Sequence, residues 1–507
     1  MSEWEVLSDP LLLKILKHLE PKDIVSCSKA CTHWYRICQD NLLWKELFER
    51  DILNQWINRI YCNKSIVGNK TEASNSTCWK NEYERLSDRV PWVESQTLNK
   101  HTDEVVHIAF SHNGNDFASC SKDTTLVIWR KKKRKTRYYF EPCFSTSMLQ
   151  YKWIQTYSAQ YSPSDINLLV SGVTTGITGI NGCGEIAIFQ VAKYPDGNYT
   201  LLKRVPNNPF DFMGCWYSDI SFFAGSIEWH QDDLYDACIW LITIPHDAKP
   251  STNQETISLP LGNGWKMQKI FTFETPEGAN SPHFIQCVMR KKVDENTKDE
   301  IFLIFICGNK TYVAHQVGFQ KLERSWMTDD FEMRIVRKPT ELLEMSGQII
   351  GMASSDVKNE YAFVNVRKWV EKEGASIDDH MMFQPPDIQN DIEVRRIDLK
   401  TMAIKKEDIV LKGHKGFTSS EGAFYLYLDV SKDFVASGSE DSHGYIWDKY
   451  YGSIVAKLEH QKCVNAVVFD PSDQETCITA SDDLSLKVWI SKRRSRTLEK
   501  VNSGCET

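Results

Sequence analysis

Three short stretches of this 507-residue chain combine residue types that could do chemistry. "FASCSKDTTLVIW" ends at Trp129, "VASGSEDSHGYIW" at Trp447 and "CITASDDLSLKVW" at Trp489. In each, an Asp stands six residues before the Trp (Asp123, Asp441, Asp483), and a Ser or Thr stands four before that Asp (Ser119, Ser437, Thr479). A His lies upstream of each set, at His101, His414 and His460. Hydroxyl, imidazole and carboxylate are the parts of a nucleophilic triad, in which the carboxylate orients the imidazole and the imidazole takes the hydroxyl proton. Yet the set recurs and always carries a Trp, whereas a hydrolase needs one site. Recurrence favours a structural relay: Asp caps a tight turn and holds the His, the His meets the hydroxyl, and the hydroxyl receives the Trp N–H.

Cys27, Cys31 and Cys38, with His33 nearby, raise a second chemistry, a zinc site. Their spacing matches no closed ligand set and no second Cys pair follows, so they are read as buried structural thiols. All 15 cysteines are expected to be reduced, and sequons at Asn63, Asn69, Asn75, Asn198 and Asn309 carry no meaning without secretion. No metal and no cofactor is expected.

The His/Ser/Asp/Trp spacing is the signature of WD40 propeller blades, in which four strands must hold each relay. About 280 residues between Arg130 and Leu411 hold no full set. Four weaker echoes lie there: Leu168 to Val191, Ser221 to Ile244, Asp299 to Gly318, and Tyr361 to Trp369 with "NDIEVRRIDL". With the three clear stretches they make seven blades. Trp92 to Leu98 is expected to complete the last blade and close the ring. The expected fold is therefore mainly β, a seven-bladed WD40 β-propeller over residues 92–493 with a short tail at 494–507, preceded by a small all-α module.

That module occupies residues 3–50. Ser8-Asp9-Pro10 reads as a helix start, with Pro where its missing N–H costs nothing. Leu12, Ile15, Leu16 and Leu19 then recur at helical spacing, while Leu11 and Leu13 lie off the stripe. Pro21-Lys22-Asp23 starts a second helix carrying Ile24, Val25 and Cys27, with Trp34 at its far end. Leu42, Leu43, Trp44, Leu47 and Phe48 make a third. Three such helices are a poor independent core. Their apolar groups on several faces must meet the rest of the chain or a partner helix. Residues 51–90 read as a connector with a polar loop at 63–77 and a short helix holding Trp79, Tyr83 and Leu86.

The leucines of Leu7 to Val25 make no export signal: Glu3 and Glu5 precede them, and Lys14, Lys17 and His18 interrupt them. No stretch offers the ~18 uninterrupted apolar residues of a membrane span. A formal charge of −8 argues against nucleic acid or anionic lipid as partners. The basic run "RKKKRKTR", Arg130 to Arg137, is read as a solvated loop after a blade's third strand. Its rival readings are a nuclear import signal and a site for an acidic or phosphate-bearing partner.

Leu7, Asp9, Leu11, Leu12, Ile15, Leu16, Leu19, Pro21-Lys22-Asp23, Cys31, Trp34 and Leu43-Trp44 resemble the F-box motif, with Ser8 in place of the usual Pro and a proline displaced to Pro10. Followed by such blades, the chain resembles the F-box/WD-repeat family. The resemblance implies a non-catalytic substrate adaptor of an SCF-type ubiquitin ligase. The F-box would bind Skp1, and through it cullin-1 and a RING subunit, while the propeller holds a protein substrate. It implies Skp1 contacts from Leu7, Leu11, Leu12, Ile15, Leu16, Leu19, Ile24, Val25, Trp34, Leu43 and Trp44, in a protein expected in the cytoplasm, with the nucleus as a further location. Relatives of this kind are also linked to DDB1 and cullin-4 through a Trp-Asp-X-Arg element. Here Trp447-Asp448-Lys449-Tyr450 lacks the Arg, and Trp129 is followed by Arg130. A propeller scaffold, or a DDB1–cullin-4 receptor working without Skp1, is the alternative reading.

Overall fold

The computed structural model describes residues 7–53, 78–134, 137–175, 183–192, 198–208, 212–229, 235–249, 264–274, 283–290, 300–308, 311, 313–327, 334–336, 339–354, 360–370, 385–405 and 408–502. The polar loop expected at 63–77, and most of the loop from Glu371 onward, lie outside them. Seven antiparallel sheets follow one another along the chain. Blade one contains Val105–Phe110, Asp116–Ser121, Thr125–Arg134 and Arg137–Ser147. Blade two contains Trp153–Tyr161, Asn167–Thr174, Cys183–Val191 and Tyr199–Pro206, and blade three Cys215–Trp216, Ser221–Trp229, Tyr235–Thr243 and Lys266–Glu274. A short parallel strand, Arg334–Val336, adds to the outer edge of blade three.

Blade four pairs His283–Arg290, Glu300–Cys307, Gln316–Leu322 and Glu341–Glu344. Blade five has three strands, Gly347–Ser354, Tyr361–Trp369 and Ile388–Asp398, and isolated bridges to Leu411 and Lys415 stand in for a fourth. Blade six contains Leu428–Val430, Phe434–Ser437, His443–Asp448 and Ile454–Glu459. Blade seven combines Val464–Asp470, Asp473–Ser481 and Leu486–Ser491 with Pro91–Leu98 from the far end of the propeller sequence, which closes the ring. The seven-bladed propeller expected from the repeats is thus the fold, and each weak echo falls on middle strands of blades two to five.

The first strands of successive blades touch one another around the full circle, so they line a central channel. Middle strands lie between neighbouring blades and are covered on both faces. This is why Asn167–Thr174 is buried throughout and why Glu300–Cys307 reads as an almost continuous apolar run. Where blades six and seven meet, the backbones come too close for a side chain: a Cβ on Gly438 would lie 2.0 Å from the Val464 carbonyl oxygen. Alternation of strand direction sorts the connections onto two faces. One carries His101, Glu104, Asp123 and Asp482; the other carries the turns at 111–115, 448–453 and 470–473.

Among the described residues the helical module has four α-helices, not three: α1 (Asp9–Leu16), α2 (Pro21–Cys27), α3 (Thr32–Cys38) and α4 (Asn41–Phe48). The second expected helix is broken after Cys27, and Trp34 belongs to α3. Cys31 is extended (φ −160°) and its Sγ accepts the Trp34 N–H, which caps a new helix. Trp79, Tyr83 and Leu86 are all buried on α5 (Trp79–Ser87), and α6 (Lys492–Asn502) continues directly from the last strand. The basic run is strand and not loop up to Arg134, and pairing resumes at Arg137. Counter-charges hold it there: Arg130 pairs with Asp116, Lys131 with Asp470 and Lys132 with Glu141.

Candidate protein-docking surfaces

In blade one, His101 Nδ1 lies 3.0 Å from Asp123 Oδ2 and Nε2 lies 2.7 Å from Ser119 Oγ, which receives the Trp129 indole N–H at 2.9 Å. Blade seven repeats this: His460 Nδ1 to Asp483 at 2.8 Å, Nε2 to Thr479 Oγ1 at 2.6 Å, and the Trp489 N–H to that oxygen at 2.9 Å. Burial alone would raise both carboxyl pKa values, but bonds from the His, from Thr125 or Ser485, and from a backbone N–H outweigh it and hold them below the ordinary range. Ser119 and Thr479 have no exposed surface. Each hydroxyl is enclosed and already engaged by an indole, which is the geometry of a strut.

Blade six departs from the expected relay. His414 does not reach Asp441 or Ser437: its Nε2 lies 3.1 Å from Asn365 Oδ1, and Asn365 Nδ2 donates to Ser437 Oγ at 2.8 Å. The Trp447 N–H goes to the Lys412 carbonyl instead. The cause is Tyr445, where blades one and seven have Val127 and Lys487. Its ring stacks on Trp447 and its hydroxyl donates to Asp441 at 2.6 Å, so the carboxylate is taken.

The helical module presents two faces. Leu12, Leu16, Ile24, Leu43 and Trp44 were expected at a partner surface, yet each is 0–2 % exposed and inside one continuous core. The correction has a simple origin. On α1 the i, i+4 pair Leu12/Leu16 faces α3 and α4, while the neighbouring pair Leu11/Ile15 faces out, 54 % and 43 % exposed. Val25, Tyr35 and Leu42 are likewise exposed, and Leu7, Leu19 and Trp34 are half-buried. Asp9 ties α1 to α3 by accepting from Arg36 (2.6 Å) and His33 (2.8 Å), and Arg50 caps the end of α1 by donating to the Lys17 carbonyl (2.5 Å). His33 is thus engaged by a carboxylate, and Cys38 lies in the core with its thiol pushed up to about 11 by burial.

The inner face of this module is joined to the propeller. Phe48 packs on Trp79 (5.3 Å between centroids) and on Tyr451 of blade six (5.7 Å). Arg85 on α5 donates to Asp448 at 2.6 Å and to Glu82 at 2.9 Å, while Tyr451 donates to Glu82 at 3.0 Å. The Asp448 carboxylate is fully enclosed. Sequence reading singled out the Trp447-Asp448 dipeptide for a missing Arg at position 450. It could not see that Arg85, far upstream, supplies a guanidinium to the same carboxylate.

Comparison with known proteins agrees with this arrangement. The F-box-like family model matches residues 7–50, and the WD domain, G-beta repeat model matches residues 92–130 and 452–489. F-box/WD repeat-containing protein 5 of Homo sapiens is 31% identical over 97% of this chain and 96% of its own length. The proteins of the same description from Mus musculus and Rattus norvegicus are also 31% identical over 97% of the chain. An F-box-like helical module on the closed seven-bladed ring, matched end to end, places this chain in the family of F-box/WD repeat-containing protein 5.

Proposed function

We propose that the chain is the substrate-receptor subunit of an SCF-type ubiquitin ligase, with no catalytic step of its own. The outer side of the helical module, where Leu11, Ile15, Val25, Tyr35 and Leu42 are exposed, docks Skp1 and through it cullin-1 and a RING subunit. The propeller holds a client protein. One observation carries this reading: the module is apolar inside and out, and among the described residues only its inner side is covered. Rate enhancement then comes from proximity, because a client fixed beside the charged conjugating enzyme meets it at a high effective concentration.

The joint at Arg85 and Asp448 supports a fixed distance between the two ends. It also counts against the DDB1–cullin-4 alternative through Trp447-Asp448, since that carboxylate is enclosed and already paired. Reconstitution of the full chain with Skp1, cullin-1 and a RING subunit tests the proposal. A stable complex that ubiquitinates a protein captured by the propeller is the expected result. Failure of the folded chain to bind Skp1 would overturn the proposal in favour of the scaffold reading.

A further inference from the structure

The propeller face opposite the helical module holds a cavity of about 290 Å³ at the mouth of the central channel. Tyr157, Phe424, Tyr425 and Tyr427 give it aromatic walls, and the carboxylates of Glu104 and Asp482 line its edge. One wall is a strap, residues 416–427, that arrives before the short first strand of blade six. Arg367, 1 % exposed, pins it by donating to the carbonyls of Gly416 (2.9 Å) and Thr418 (2.6 Å). Glu440 accepts the backbone N–H groups of Phe417 (2.7 Å) and Thr418 (2.8 Å). The strap ends by joining the channel wall, with Leu426 N–H on the Ile350 carbonyl and Tyr427 N–H on that of Asn465. A buried guanidinium committed to three main-chain carbonyls is a costly device for holding a surface loop in one shape. The cavity is therefore preformed.

Its chemistry is one-sided. Asp482 accepts from the Asn465 amide at 2.7 Å through Oδ1, while Oδ2 meets no donor among the described residues. Asp103, Glu104 and Asp482 act on this mouth against the ammonium groups of Lys122 and Lys462, and Lys122 is itself held by Glu104. Around the mouth Phe417 is 59 %, Ile154 49 % and Leu484 38 % exposed, which offers apolar contact to the flanks of an extended segment. Aromatic faces beside unmet carboxylate oxygens suit a planar cation, because a guanidinium stacks on a ring while its N–H fork reaches the oxygens.

We propose that this mouth binds an arginine side chain presented by an extended segment of the client, an inference that rests on the receptor reading and names the chemistry it selects. Saturation-transfer NMR on the full-length chain with N-acetyl-arginine amide tests it, beside the lysine and citrulline counterparts. Transfer to the arginine methylenes is expected, at least tenfold weaker for citrulline and weaker for lysine. It should be lost in Glu104→Gln/Asp482→Asn, whose near-isosteric side chains keep the melting temperature, and in Phe424→Ala, which removes an exposed ring. Equal signals from arginine and citrulline, equal signals from arginine and lysine, or an unchanged signal in the folded carboxylate variant would overturn the assignment. Client capture and modification by that variant at the wild-type level would also overturn it while leaving the receptor reading intact. The receptor reading fails separately, through absent Skp1 binding by the unaltered chain.

Discussion

Arg85 and Asp448 lie 363 positions apart in sequence and 2.6 Å apart in space, and they form an ion pair between the connecting helix and the propeller. The Asp448 carboxylate is fully enclosed and the Arg85 side chain is 17 % exposed. Coupling through such a pair depends on keeping both partners, since Asp448 alone is a buried charge without a counter-ion and Arg85 alone keeps only Glu82 of its own helix.

Arg85→Met is therefore expected to destabilise the chain by about 3–5 kcal/mol, and a double variant adding Asp448→Asn should recover much of that loss. Urea unfolding of the two variants checks this. Equal destabilisation by the single and double variants would mean that the pair does not couple the two parts.

The two faces of α1 should respond in opposite ways. Leu12→Ala or Leu16→Ala empties a closed core and should cost about 2–5 kcal/mol. Leu11→Asp with Ile15→Asp alters only exposed positions and should leave the melting temperature within a few degrees. Thermal unfolding of the two sets separates core from surface.

Among the blade relays, Asp483→Ala should cost about 1–3 kcal/mol by orphaning His460 and two backbone N–H groups. Asp441→Ala should cost less, because His414 does not depend on it and, among the described residues, only the Tyr445 hydroxyl and the His443 N–H lose a hydrogen-bond partner. Chemical denaturation of the two variants side by side gives the comparison. A larger loss in Asp441→Ala would contradict the altered relay of blade six.

Acid should weaken the fold before the carboxylates titrate. Burial holds the His107 and His414 imidazoles neutral, with pKa pushed down to about 3 from 6.5. A folded value below the unfolded one means that unfolding takes up protons. The contribution is complete above about 6.5 and is lost as pH falls toward 3, by up to about 1.4 kcal/mol per pH unit for each imidazole. Asp123 and Asp483, also depressed, add their loss below about 3.9. Stability measured from pH 7 to 5 should fall in the wild type and fall less in a folded His414→Gln variant.

Legibility in sequence followed the range of the interactions. The relays of His101 and His460 could be read because all four partners sit within one blade at fixed offsets. Blade six departs because Tyr445 takes Asp441 from within the blade, while Asn365, on the preceding blade, takes His414 and Ser437; the first change is visible in the sequence as a Tyr where blades one and seven have Val127 and Lys487, and the second is not. Helical periodicity gave the stripe on α1, but not which of its residues the rest of the module covers, so Leu12 and Leu16 were expected at the partner surface beside Leu11 and Ile15 and lie in the core instead. Echoes in blades two to five were visible as buried strands, since continuous apolar runs survive the loss of the polar signature. The strap pinned by Arg367 and the joint made by Arg85 left no signal, because each joins residues distant in sequence through charges that look like surface.

The most direct test of the central claim uses the full-length Leu11→Asp/Ile15→Asp variant in a reconstituted ubiquitination reaction with Skp1, cullin-1, a RING subunit and a propeller-bound client. The account predicts that the variant keeps its melting temperature and its grip on the client, loses Skp1, and leaves the client unmodified. Client ubiquitination at the wild-type rate by this variant, with no unaltered chain present, would contradict it.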